Sequence, residues 1–136
     1  MHQKISYSMT RINAGIKPAE LTDKHLLAEA REIKRVPNCI KAGRYSMVGQ
    51  PDTFRLGTGH VKFFYDKLHY LKKRYDKIYR ECVKRGFNVT YFGGAWDGVP
   101  EHLMNDYIET LNDRLIVQER INERLNSKKT NEQKNL

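Results

Sequence analysis

The chain has 136 residues, with 25 Lys and Arg against 16 Asp and Glu, a formal charge of +9, and 39% hydrophobic residues. That length suits one domain with a modest core, and no stretch reaches the ~20 consecutive apolar residues of a membrane span. Two distant cysteines, Cys39 and Cys82, suggest neither a disulfide framework nor a zinc knuckle, and the charge balance calls for an acidic partner, of which nucleic acid is the usual one.

The first residues hold one lysine and no apolar core, so no signal peptide is expected and a cytoplasmic setting follows. The run Met9-Thr10-Arg11-Ile12-Asn13 places a threonine directly after a methionine. Trimming there would expose a residue with a free α-amine. Such an amine has a reference pKa of roughly 7.7–8.0, so a useful fraction is an unprotonated nucleophile at neutral pH.

The pattern predicts an all-α fold, a single compact domain of three main helices with long irregular connecting loops. The first helix is expected over about residues 20–36, stopping before Pro37, which disfavours helix in the residue preceding it. Leu26, Leu27, Ala30 and Ile33 share one side. A second stripe carries Lys24, His25, Ala28, Arg31, Glu32 and Arg35, and could be a solvated face or a working one. His25, Glu29 and Glu32 fall at i, i+4 and i+7, half of a helical metal site at most. No facing ligand set accompanies them, so neither metal nor cofactor is expected.

Residues 37–59 form a long connection rich in Gly and Pro. Its end, Leu56-Gly57-Thr58-Gly59-His60, lacks the Lys-Ser/Thr of a P-loop and reads as a tight turn into a helix. From Val61 the apolar residues Phe64, Leu68, Leu71, Tyr75, Ile78 and Cys82 step by three and four, and Gly86 suits the left-handed cap that ends the helix. The outer face is assigned Lys62, Lys67, Lys72, Lys73, Arg74, Lys77, Arg80, Lys84 and Arg85.

A second loop over residues 87–99 holds Tyr91, Phe92 and Trp96 among glycines. The third helix is expected from Pro100 or His102 to about Leu125, with Met104, Ile108, Leu111, Leu115 and Ile121 toward the core. From Ser127 to Leu136 the chain is polar, and a disordered tail is expected.

Read together, these segments resemble a known family. The string Met9 to Asn13, then Lys24-His25-Leu26-Leu27-Ala28-Glu29, Arg31-Glu32 and Arg35-Val36 are similar to the phage pyrimidine-dimer DNA glycosylase/AP lyases, the UV-repair endonucleases. The resemblance continues through Leu56-Gly57-x-Gly59-His60-Val61-x-Phe63-Phe64-Tyr65-Asp66-Lys67-Leu68 and Glu81-Cys82-x-Lys84-Arg85-Gly86-Phe87-Asn88. It weakens toward Asp106-Tyr107 and Arg120 and covers about residues 10–125.

The resemblance implies a concave basic face for damaged or abasic double-stranded DNA, bound by a monomer in the cytoplasm of a bacterial host. It matches Thr10 to the nucleophilic N-terminal threonine and Glu32 to the essential carboxylate. It matches Arg11, Arg31 and Arg35 to DNA-contacting arginines, with Arg120 and Arg124 in weaker register. Lys24 and His25, on the same stripe as Arg31 and Arg35, join the expected DNA-binding set. The implied layout is an N-terminal extension over 1–9, the helical DNA-binding domain over 10–126 and the tail over 127–136.

Two features depart from the family. Met1 to Ser8 precede the Met9-Thr10 pair, and while that peptide bond is intact Thr10 carries an amide nitrogen, which is not nucleophilic. The family's characterised enzyme also ends in an aromatic, basic tail, whereas residues 127–136 hold no aromatic ring. Tyr91 or Trp96 would have to replace it, unless both simply cap the core. Two other readings follow: a DNA-binding member without lyase chemistry, or a diverged nuclease using His25 or His60 as general base.

Overall fold

The computed structural model describes the backbone of residues 10–134 and the side chains of residues 10–127. The expected N-terminal extension, residues 1–9, lies outside the described residues. The elements in chain order are α1 (Asp23–Glu32), α2 (Arg35–Lys41), α3 (His60–Phe63), α4 (Leu68–Lys84) and α5 (Leu111–Lys134), with 3-10 turns at Pro18–Glu20, Gly93–Trp96 and Glu101–Leu103. The fold is all-α, and the described residues form no strand, only an isolated antiparallel bridge between Lys67 and Met104. No helix of the described residues is long and apolar enough to cross a membrane.

Each expected helix is present and each is cut differently. The Thr22 hydroxyl accepts the His25 N–H and caps the start of α1. The chain turns at Ile33-Lys34, and helix then resumes through Pro37 as α2. Proline is tolerated there because it lies in the first turn, where its missing N–H would have had no intrahelical partner. The second expected helix divides into α3 and α4 around a tight turn at Phe64–Lys67. That turn buries Phe63 and Phe64 together, in an edge-to-face cluster with Phe54 and Tyr107, while Tyr70 stacks on Phe64. Gly86 ends α4 as expected, at φ +84°, with the Gly86 and Phe87 N–H groups donating to Val83 and Cys82 carbonyls.

The third expected helix is shifted toward the C-terminus. Residues 104–110 are extended, and α5 begins after Thr110, whose hydroxyl accepts the Asp113 N–H while the Asp113 carboxylate accepts the Thr110 N–H. Its core stripe is therefore Asp113, Val117 and Ile121. Ile108, Leu111 and Leu115, expected inside, are 86, 72 and 57% exposed. The helix runs to Lys134, so most of the expected tail is helical backbone, and residues 135 and 136 lie outside the described residues.

The two long loops are tied down by their own side chains. The Gln50 amide donates to the carbonyls of Lys62 and Phe63 and to Asp66, and the Tyr75 hydroxyl accepts the Phe92 N–H. Trp96 is buried against Tyr75 and belongs to the core. Tyr91 is half exposed but leans on Tyr75 and Tyr79, with its hydroxyl bonded to Asp76.

The segment over residues 10–16 threads the middle of the molecule, with Ile12, Ala14 and Ile16 in the core. Helix α5 closes directly on it. A Cβ at Gly15 would meet the Arg114 backbone at 2.8 Å, and the residue sits at φ +84°, so only glycine fits. Arg74 and Arg85, assigned to the solvent face of α4, turn inward instead. Arg85 binds Asp23, Glu81 and three carbonyls of the 18–21 turn. Arg74 is 4% exposed and grips Glu29 on α1 through two hydrogen bonds of 2.5 and 3.0 Å.

A buried pair of this kind fails asymmetrically. Arg74→Met alone should cost about 3–5 kcal/mol in denaturant unfolding, because Glu29 is left charged and buried. The double variant Glu29→Leu/Arg74→Met should recover most of that loss. Equal losses in the single and double variants would show that the pair carries no such coupling.

Candidate nucleic-acid interface

Helix α1 presents Leu26, Glu29, Ile33 and Glu32 inward, so its buried face carries two carboxylates three residues apart. The extended N-terminal segment crosses this face without a partner strand, and side chains satisfy its polar groups. The Arg11 N–H donates to Glu32 Oε1 at 2.9 Å. The Ile12 N–H donates to His60 Nε2 at 2.9 Å. The Asn13 amide donates to Glu29 Oε1 at 2.7 Å. Three consecutive residues are thus each pinned to a different buried group, and Thr10, itself buried, is next in line. Glu32, 5% exposed, is left with Oε2 unbonded among the described residues, one residue away from the Thr10 nitrogen.

His60 is held as a neutral ring. Its Nε2 accepts from Ile12, so Nδ1 carries the proton and donates to the Arg55 carbonyl at 2.8 Å. Burial pushes its pKa down to about 4; the charges of Arg120 and Arg11 add to this and the Arg55 carbonyl opposes it. With both nitrogens committed, His60 is a structural anchor and not a free general base. The Gly59 backbone before it, at φ +90°, makes the tight turn expected there, with Pro51 and Arg55 packed over it.

Along this line runs an open groove of about 800 Å³ lined by Arg11, Lys24, His25, Glu29, Glu32, Arg120 and Arg124. Arg120 donates to Asn13 Oδ1 at 2.5 Å. Its pKa is pushed down to about 10, by burial first and then by Arg11 and Arg124. The His25 pKa is lowered by burial and by Arg120, Arg124, Lys24 and Arg11, so its ring is neutral at pH 7, with Nδ1 against the Thr22 hydroxyl. Cations that depress one another's ionisation make the groove electropositive.

The structure gathers Arg11, Lys24, His25, Glu32, Arg120 and Arg124 on this one groove. It sets the other expected residues beside it. Thr10 and Arg35 share an adjoining hollow of about 270 Å³ with Arg44 and Tyr65. Arg31 lines a third hollow of about 350 Å³ with Lys34, Tyr79 and Phe92, where the Lys34 ammonium lies 3.6 Å from the Phe92 ring centre. Glu29, considered as half of a metal site, is occupied by Arg74 and Asn13. Among the described residues no group of three or more His, Cys, Asp or Glu side chains is placed to hold a metal.

Sequence reasoning assigned no role to Asn13 and misplaced Arg74. Arg74 did leave a signal: it falls between Leu71 and Ile78 at the spacing of the apolar stripe. A family model described as pyrimidine dimer DNA glycosylase matches residues 9–92. That stretch contains Thr10, Glu32 and the anchors Asn13, Glu29, His60 and Arg74, and ends before Arg120 and Arg124.

The neutral His60 makes stability depend on pH. Its folded pKa of about 4 lies below the ordinary 6.5, so the unfolded chain binds more protons between those values and stability falls as pH drops through that window. At 1.36 kcal/mol per unit, His60 should account for about 3 kcal/mol lost between pH 7 and pH 4. Urea titrations of His60→Gln should show a correspondingly flatter pH profile. A profile as steep as that of the parent chain would assign the dependence to other groups.

Proposed function

This chain belongs to the pyrimidine dimer DNA glycosylase family, and from that premise we propose that it is a DNA repair glycosylase with AP-lyase activity, its nucleophile the Thr10 α-amine. The substrate is double-stranded DNA carrying a pyrimidine-dimer-like or abasic lesion. The observation that carries this reading is the Glu32 carboxylate, buried among arginines and hydrogen-bonded to the amide immediately after Thr10.

The chemistry requires cleavage of the Met9–Thr10 bond, or a start at Met9 followed by its removal. The freed amine attacks the sugar C1′ and sheds a proton as the damaged base departs with the bonding electron pair; the C1′–O4′ bond then breaks, O4′ takes its electrons and a proton, and the nitrogen lone pair closes the C1′=N imine. The imine acidifies C2′–H. Removal of that proton expels the 3′ oxygen and breaks the strand by β-elimination.

Glu32 stabilises the cationic sugar, and its free Oε2 is the oxygen available to move protons. Arg11, Arg120 and Arg124 in the groove and Arg35 beside Thr10 hold phosphates, and their charge keeps the amine unprotonated. Arg31, Lys24 and His25 extend the contact along α1. Reaching C1′ calls for a bent duplex or an extruded nucleotide.

A second reading applies while residue 9 stays joined to Thr10. With the Met9–Thr10 bond intact, the same groove binds DNA without cutting it, with an affinity that falls steeply with salt. A nuclease using His60 is disfavoured by the commitment of both its ring nitrogens.

Borohydride trapping on abasic duplex separates these readings. The chain beginning at Thr10 should form a covalent adduct, and the chain beginning at Met1 should form none. In the Thr10-started chain, Glu32→Gln should lower strand scission by about 10²-fold or more. If the Thr10-started chain traps nothing, the imine mechanism is wrong; scission that survives both Glu32→Ala and the intact N-terminal residues points to a nuclease.

A further inference from the structure

A second groove, of about 700 Å³, lies along α4 and shares no lining residue with the groove beside Glu32. The two are separated by the buried ion pair: Glu29 lines one and Arg74 the other. Lys73, Lys77, Arg80 and Lys84 line this second groove at i, i+4, i+7 and i+11, forming one exposed stripe. Lys17 faces them from the 3-10 turn region.

The acids of the groove are already occupied. Asp106 is bonded to Lys73, Glu81 to Arg85, and Glu109 to Tyr70. Lys77, Arg80 and Lys84 have no hydrogen-bond or ion-pair partner among the described residues, and Lys17 has no ion-pair partner there. Lys77, Arg80, Lys84 and Lys17 thus form no ion pair among the described residues on this side of the molecule, Lys17 alone feeling the charge of Glu20. They are not there to hold the fold together.

We propose that this groove is a second duplex-DNA site, contacting the phosphate backbone without reading sequence, so that one molecule can hold two DNA segments. The stripe from Lys73 to Lys84 spans about 16 Å at ~1.5 Å per residue. Strand phosphates follow one another at about 3.4 Å along the duplex axis, so a helix laid on the backbone faces roughly four or five of them. That number accommodates the three free cations of the stripe, Lys77, Arg80 and Lys84, together with Lys17 facing them. Three of the four cations are lysines, point charges suited to phosphate, and no Asn or Gln lines the groove, which is why the contact is assigned to phosphate.

The test uses the full chain with two short duplexes, one carrying a donor fluorophore and one an acceptor, at ~50 mM salt. The parent protein should bring them together and produce energy transfer, and the second association should fall with salt at a log–log slope of about −3.6, four cations at 0.9 each. The triple variant Lys77→Glu/Arg80→Glu/Lys84→Glu should abolish the transfer while binding to a single duplex changes less than about twofold. Its thermal midpoint should match the parent, since these side chains have no hydrogen-bond or ion-pair partner among the described residues.

Undiminished transfer in the triple variant overturns the proposal. So does saturable binding of one duplex by the parent with no ternary complex when the triple variant binds that duplex equally well, or a stripe that binds polyglutamate but not DNA. The front groove is controlled separately with Arg120→Glu/Arg124→Glu. If the groove beside Glu32 does not bind DNA at all, the parent will still bind one duplex and the triple variant will lose it, so failure of the proposed function and failure of this site give different results.

Discussion

The ion pair between Arg74 and Glu29 is the constraint from which the rest of the molecule takes its position. Both side chains are almost fully buried, one on α4 and one on α1. The same guanidinium donates to the Ile16 carbonyl, and the same carboxylate accepts from Asn13. The N-terminal segment is therefore clamped at two points three residues apart by the two halves of one pair. The segment has no partner strand to specify its register, and a one-residue slip would pull Asn13 and the Arg11 N–H away from Glu29 and Glu32. A buried ion pair is weak evidence for stability in general. Here its consequence is alignment: it fixes Asn13, and with it the Arg11 amide against Glu32.

That alignment explains how a carboxylate can stay buried beside so many arginines and still be available for chemistry. Glu32 is anchored by a backbone N–H and not by a guanidinium, so no side chain has to be displaced before a substrate arrives. The arginines nearby are committed differently. Arg120 leans on Asn13, and the charges of Arg11 and Arg124 add to the burial that first pushes the Arg120 pKa down. A phosphate entering the groove relieves that repulsion. In the proposed function, that relief would draw a DNA backbone toward the carboxylate.

The stripes of α1 and α4 and the glycine after α4 were legible because apolar spacing and a left-handed cap leave direct marks in sequence. The errors share one cause. In α4 the stripe contains Arg74, and in α5 it contains Asp113, so in both helices a polar residue occupies a core position. Periodicity read through apolar residues alone sends such positions outward. In the last helix it promoted Ile108, Leu111 and Leu115, which are exposed, above Val117, which is buried. Thr110 and Asp113 spelled out the true start of that helix as a capping box, a local signal that apolar counting overrode. The site divides in the same way. Glu32 and the arginines were recognisable as a motif, whereas Asn13 and His60 work through contacts 16 and 48 residues away, which no local pattern encodes.

The anchoring pattern also bears on the bond between Met9 and Thr10. The pins begin at the Arg11 amide and run inward through Ile12, Asn13 and Ile16. None of them uses the Thr10 nitrogen. Cutting the bond before Thr10 would therefore convert that nitrogen from amide to amine while every anchor that positions it stays in place. The scaffold's geometry does not depend on the cleavage, but its proposed chemistry does. The proposed nucleophile would thus arise one residue from the N–H that Glu32 holds, with the contacts of residues 11–16 unchanged.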